Sequence, residues 1–168
     1  MSIIIPESKI PTRINASANL IRRFKKTINC IRDSTTKTTD FVILGTDGLS
    51  RDKNKFKISS SFYGSYKEVW NLQNSNNFVL VKIYFHLYNI DLEELIALHC
   101  DLDSNPATAK HKYKIHPHLH VKCAKYDFIS KAHFSLCLLD HKITISKLEN
   151  LENMYKSFFD LVNYELIR

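Results

Sequence analysis

The chain has few of the residues and motifs by which many enzymes and membrane proteins are recognised. Only three of its 168 residues are glycine, and none belongs to a glycine-rich phosphate-binding loop or to a nucleophile elbow. No apolar run reaches the roughly 20 residues of a membrane span. The opening MSIIIPESKIP has no basic segment and no small-residue cleavage site, so we expect neither a signal peptide nor a membrane partner.

Cysteine is also sparse, and its spacing gives no sign of a zinc finger or a redox dithiol. Cys30, Cys100, Cys123 and Cys137 lie far apart and form no CxxC pair. Free thiols in a reducing compartment are the simplest interpretation of this pattern. We therefore expect a cytoplasmic protein.

Basic residues are in excess. Lysine and arginine number 24 against 17 acidic residues, which gives a net charge of +7 and an isoelectric point near 9.2. A basic protein attracts anionic partners, and nucleic acid is the first of these. The alternative interpretation is a basic protein whose charge only keeps it soluble.

The length favours a single domain over residues 1–168, with one hydrophobic core. Residues 1–12 are predicted to form an extended lead-in, because Pro6 and Pro11 disfavour helix. From Ser17, a plausible N-cap, apolar residues recur at helical spacing over roughly 15 residues. The same spacing after residue 145 predicts a C-terminal helix.

Apolar and polar residues alternate in four segments, 79–88, 95–102, 112–123 and 133–138. A period of two places alternate side chains on opposite faces of a strand. We therefore predict an α+β fold, an antiparallel meander sheet with the N-terminal and C-terminal helices packed on one face. Pro117 has no N–H to donate, which predicts an edge strand or a bulge in the third segment.

The polar sides of these strands would form one face that is rich in histidine. His118, His120 and His133 are the predicted catalytic group, because paired imidazoles can act as general acid and base near neutral pH. Lysines beside them would hold a phosphate group, and tyrosines would stack on bases. The predicted anion-binding residues are Lys112, Lys114 and Lys122, and the predicted stacking residues are Tyr84 and Tyr88.

Metal binding is a second interpretation of the same face. His118 and His120 would point to one side, with His133 and Cys137 within reach, and zinc accepts nitrogen and sulfur ligands. Segment 104–126 contains no carboxylate that could orient such ligands. We therefore assign no cofactor from the sequence, and zinc stays an alternative.

The motifs YFHLYN, LIALHCD, HPHLHVK and KAHFSL, followed by the closing helix, carry a family resemblance over residues 79–168. This part of the chain resembles small bacterial proteins with a PHLHV-type motif and, more loosely, the TumE-like toxin family. The resemblance implies a toxin–antitoxin or phage-defence setting, with action on nucleic acid or translation and a protein partner encoded nearby.

The order of helix, meander, His-Pro dipeptide, LCLL and closing helix is also similar to the ubiquitin-conjugating fold. That resemblance implies that His116, Pro117 and His118 match the family's HPN or HPH stretch and that Cys137 carries a thioester. A strand cysteine at the edge of the core is the other interpretation of Cys137.

These observations favour a protein that binds or cleaves RNA or another phosphate-bearing partner, and the enzyme form would be a metal-independent ribonuclease. A non-catalytic subunit that binds a protein within a defence or toxin–antitoxin complex is the alternative from another class. The thiol carrier is the third.

Overall fold

The computed structural model describes residues 2–24, 27–33, 40–48, 54–102, 117–122, 132–135 and 147–167. Within these ranges, nine strands form one antiparallel sheet and two α-helices lie near the two ends of the chain. The predicted α+β class is therefore confirmed. None of the described helices combines the length and the apolar character needed to cross a membrane.

The strands are β1 (Ile4–Pro6), β2 (Asn29–Asp33), β3 (Phe41–Thr46), β4 (Phe56–Lys57), β5 (Phe62–Asn74), β6 (Asn77–Asn89), β7 (Glu94–Asp101), β8 (His118–Val121) and β9 (Ala132–Ser135). The helices are α1 (Ile10–Ile21) and α2 (Leu148–Leu161), with a 3₁₀ turn at Glu7–Lys9 and a π-helical turn at Val162–Leu166. The strand order is β2-β3-β5-β6-β7-β8-β9, while β1 pairs with β6 and β4 pairs with β5. Strands β5 to β9 are thus neighbours in chain order, which is the predicted meander.

Both helices cover the same face of the sheet, as predicted. From α1, Arg13 and Ser17 reach the carboxylate of Glu68 on β5. From α2, the buried hydroxyl of Tyr155 donates to the carbonyl of Ile83 on β6 at 2.7 Å. Aromatic and aliphatic side chains of both layers fill the space between them.

The first helix lies earlier in the chain than the sequence predicted. It begins at Ile10, inside the expected extended lead-in, and ends at Ile21. Pro11 is tolerated because it occupies the first turn, where a backbone N–H has no helical acceptor. Ser17 is not an N-cap, since it lies inside the helix and its hydroxyl donates to the carbonyl of Arg13 at 3.0 Å.

A buried ion pair joins α1 to the middle of the sheet. Arg13 Nε and Nη2 donate to the two carboxylate oxygens of Glu68, each at 2.9 Å, and both side chains are almost fully buried. The same carboxylate accepts hydrogen bonds from the Trp70 indole at 2.9 Å, from the Tyr66 hydroxyl at 2.5 Å and from Ser17. The negative charge of Glu68 is therefore neutralised by Arg13 and hydrogen-bonded by protein donors in place of water.

These contacts control the ionisation of Glu68. Burial alone would raise the pKa of this carboxyl, because a buried charge loses its hydration. The charge of Arg13 and the hydrogen bonds from Arg13, Ser17 and Tyr66 outweigh burial and hold the pKa below its ordinary value. Arg13 Nη1 also contacts Glu152 of α2, so one guanidinium group links both helices to the sheet.

Replacing Arg13 with methionine should lower the free energy of unfolding by about 3–5 kcal/mol, because Glu68 would remain buried without its counter-charge. The control is Arg23→Met, which removes an ion pair with Asp160 whose side chains are 31% and 40% exposed. That change should cost at most about 1 kcal/mol. Urea unfolding of both variants measures the difference, and equal losses would contradict a special role for the buried pair.

Glu68 should also make stability depend on pH. Because its folded-state pKa lies below the ordinary 4.5, the ionised carboxylate stabilises the fold above that value, and the stabilisation is lost as the pH falls through the folded-state pKa. Urea unfolding between neutral pH and about pH 3 should show this loss in the wild type and a flatter profile in Glu68→Gln. The exposed control Glu165→Gln should follow the wild-type profile. A wild-type profile in Glu68→Gln would refute the assignment.

A candidate metal centre on the open face of the sheet

Four histidines lie in contact on the face of the sheet opposite the helices. They are His86 on β6, His99 on β7, and His118 and His120 on β8. Ring centroids are 4.6 Å apart for His86 and His99, 4.3 Å for His99 and His120, and 4.9 Å for His118 and His120. We refer to these four residues as the histidine cluster.

Strand register explains why these four side chains meet. One cross-strand row contains Ser65, His86, Ala97, His120 and His133, and the adjacent row contains Lys67, Tyr84, His99, His118 and Ser135. Directly opposed residues of an antiparallel pair share a face, and their Cβ atoms are about 4.5–5.5 Å apart. His99 therefore contacts His86 and His120 diagonally, whereas His118 lies directly opposite His99 and two residues before His120 on the same strand.

Ala97 provides the space in which the rings converge. It lies between His86 and His120 in its row, and its methyl group is fully buried. The ring of His99 lies close to both flanking imidazoles. A longer side chain at this position would separate them. The sequence analysis did not select Ala97 because alanine carries no functional group. Its position two residues before His99 was the only sign that it lies on the histidine face.

Glu94 enters the cluster through a β-bulge. Leu87 of β6 pairs with Ile96, but the next residue, Tyr88, pairs with Glu94, so β7 contains one extra residue here. The bulge moves Glu94 from the side of Ile96 to the histidine face. There its Oε2 lies 2.6 Å from His86 Nδ1. That hydrogen bond lowers the pKa of Glu94 and keeps it ionised.

His86 also contacts His99 through its second ring nitrogen. Its Nε2 atom lies 3.0 Å from His99 Nε2, so one of these two nitrogens carries the shared proton. On the other side, the ring of Tyr84 packs 4.6 Å from that of His99, and its hydroxyl donates to Asp101. Burial and the bond to Asp101 raise the pKa of Tyr84, which keeps the phenol protonated at neutral pH.

Three members of the cluster could hold a metal ion. His99, His118 and His120 each offer one nitrogen, and the three nitrogen atoms lie within 4.8 Å of one another. Two nitrogens bound to one tetrahedral zinc ion are about 3.3 Å apart, so the three nitrogens would have to approach one another by up to about 1.5 Å to bind one ion. His118 is only 1% exposed, and the Nε2 atom of His120 is buried.

The predicted catalytic histidines lie on two adjacent strands of the sheet. His118 and His120 belong to the cluster, and strand register places His133 opposite His120. Pro117 does not disturb this arrangement, because it precedes β8 and is not part of its ladder. The edge-strand prediction is wrong, since β8 lies between β7 and β9. No bulge interrupts β8 itself, and the part of the predicted strand before Pro117 lies outside the described residues.

Exposed lysines lie on the same face. Lys122, a predicted anion-binding residue, follows β8 and is exposed. The other two predicted residues of this kind, Lys112 and Lys114, fall outside the described part of the chain, as does Cys137. Three exposed lysines that the sequence analysis did not assign to anion binding also belong to this face, namely Lys57, Lys67 and Lys82.

The two predicted stacking tyrosines have different surroundings. Tyr84 is engaged with His99 and Asp101, so it supports the cluster. Tyr88 lies at the end of the face, with its ring parallel to that of His86 at 5.8 Å and with Lys55 Nζ 5.0 Å from its ring centre. Both predicted stacking rings thus already contact other side chains.

No family model, no curated protein and no solved structure matches this chain. The resemblances to PHLHV-type proteins, TumE-like toxins and the ubiquitin-conjugating fold therefore stay predictions. What can be said about this site follows from its own residues and their geometry.

Proposed function

We propose that the histidine cluster binds a zinc ion through His99, His118 and His120 and that the protein cleaves a phosphate-bearing partner, with RNA as the substrate. The observation that carries this proposal is the convergence of three imidazole nitrogens within 4.8 Å on adjacent strands. Three histidines and an open fourth position are the ligand set of hydrolytic zinc sites, where bound water has a pKa of about 7.

The donor atoms favour zinc over calcium or magnesium. Those hard cations prefer oxygen ligands, whereas zinc accepts imidazole nitrogen readily. The two carboxylates beside the cluster already have other contacts, Glu94 with His86 and Asp101 with Tyr84. The donor set offered to an ion by the three converging residues is therefore nitrogen alone.

The charge of the surrounding face favours an anionic substrate. Lys57, Lys67, Lys82 and Lys122 are exposed on this face, and the chain carries a net charge of +7. Lysines beside a reactive centre can hold a phosphate group and stabilise the charge that develops on it. Tyr88, at the end of the same face, offers a ring on which an unpaired base can stack.

A second candidate function is metal-free acid–base catalysis, which the sequence analysis assigned to His118, His120 and His133 and which the structure favours at a different pair. The contact between His86 and His99 favours it, because Glu94 orients one imidazole while the neighbouring imidazole shares its proton. Such a pair can accept a proton from a ribose hydroxyl and return one to the leaving oxygen. Metal dependence separates the two mechanisms.

Purified protein should contain a stoichiometric amount of zinc and should cleave a labelled single-stranded RNA. Dialysis against a chelator should abolish cleavage, and added zinc should restore it. His118→Ala and His120→Ala should lose both bound zinc and cleavage, because each removes one of three ligands. The matched control is Asn153→Ala on the exposed side of α2, which should retain both.

The other outcomes are equally informative. Metal-free protein that cleaves RNA in the presence of chelator would reject the zinc centre and favour the acid–base pair of His86 and His99. Protein with neither zinc nor cleavage would reject both mechanisms and favour a protein-binding subunit.

Ala97→Leu should weaken zinc binding by about tenfold or more, a loss of at least about 1.4 kcal/mol. The added methyl groups would enter the space between His86 and His120 and push the rings apart. Competition with a chromogenic chelator measures the affinity. Ala16→Leu on α1 is the control for the added volume and should bind zinc as the wild type does. Unchanged affinity in Ala97→Leu would contradict the role assigned to this space.

A further inference from the structure

Glu94, His86 and His99 form a continuous chain of hydrogen bonds that ends at a proposed zinc ligand. The first contact joins Glu94 Oε2 and His86 Nδ1 at 2.6 Å, and the second joins the Nε2 atoms of His86 and His99 at 3.0 Å. Each contact involves a specific ring nitrogen. The chain therefore has consequences for which nitrogen of His99 carries a proton.

The position of each proton follows from the donor and acceptor properties of these groups. An ionised carboxylate can only accept, so His86 must donate through Nδ1. For a neutral His86 imidazole, donation through Nδ1 makes Nε2 an acceptor. The proton between the two rings then belongs to His99 Nε2, and the lone pair of His99 lies on Nδ1.

We propose that Glu94 and His86 set the tautomer of His99, so that His99 coordinates zinc through Nδ1. A metal can bind only the unprotonated nitrogen of an imidazole, and a hydrogen bond at the other nitrogen fixes the ligand's orientation. Glu94 and His86 are thus positioning residues that act through His99. This inference rests on the zinc site proposed above.

The surrounding fold holds Glu94, His86 and His99 in place along this chain of hydrogen bonds. The bulge in β7 directs Glu94 to this face, and the ring of Tyr88 lies parallel to His86, with an interplanar angle of 5°. Tyr84 packs against the ring of His99. His86 therefore has Glu94 at one nitrogen, His99 at the other and Tyr88 beside its ring.

The test compares three glutamate variants in zinc competition assays. Glu94→Ala removes the acceptor and should weaken zinc binding by about 10–100-fold. Glu94→Gln should restore most of the affinity, because an amide oxygen can still accept from His86 Nδ1. The matched control is Glu93→Ala, one residue away, whose carboxylate contacts Asn89 instead, and it should bind zinc as the wild type does.

Histidine ring NMR of the wild type gives a direct readout of the tautomer and of the metal-bound nitrogen. In metal-free protein, His99 should be the tautomer protonated at Nε2, and in zinc-loaded protein its Nδ1 should be the metal-bound nitrogen. His99→Gln identifies the signals. Coordination through Nε2, or equal zinc affinities for Glu94→Ala and Glu93→Ala, would overturn this inference alone. Failure of the wild type to bind zinc would overturn the zinc site and the inference together.

Discussion

The buried carboxylate of Glu68 is the group around which both layers of the protein are assembled. A charge in that position is stable only because Arg13 and three further donors surround it. Those donors come from α1 and from β5 itself. The helix can therefore donate its hydrogen bonds to the carboxylate in only one position along the sheet. Arg13 also contacts Glu152 of α2, so the guanidinium group that neutralises Glu68 also fixes the position of the second helix. Hydrophobic contacts hold the layers together, whereas this polar network specifies how they align.

The position of β5 in turn determines the geometry of the opposite face. Glu68 lies on the helix side, and the residue before it, Lys67, lies on the open side opposite Tyr84 of β6. From there the register extends across β7 and β8, which places His99 opposite His118. The proposed zinc ligands thus stand on paired strands and not on loops, which limits their movement and preorganises them for an ion.

Much of this arrangement could be predicted from alternation alone. A period of two in β6, β7 and β8 identified the strands and correctly placed His118 and His120 on the polar side, because burial of one face fixes which residues point inward. The position of α1 could not be read in this way. One buried position of this helix is Arg13, and its burial is favourable only because it pairs with Glu68, a residue 55 positions away. The proline that argued against a helix is harmless in a first turn.

The site also depends on the β-bulge in β7, which interrupts the alternation of polar and apolar residues and could not be predicted from it. Without the bulge in β7, Glu94 would share a side with Ile96, and His86 would have no carboxylate at Nδ1. One extra residue places an acid beside a cluster of imidazoles, where Glu94 Oε2 contacts His86 Nδ1 and His86 Nε2 contacts His99 Nε2. A histidine-rich strand face can be an ordinary basic surface. The bulge supplies the carboxylate partner that metal-binding histidines characteristically have, and it is therefore the feature that most strongly distinguishes this face from such a surface.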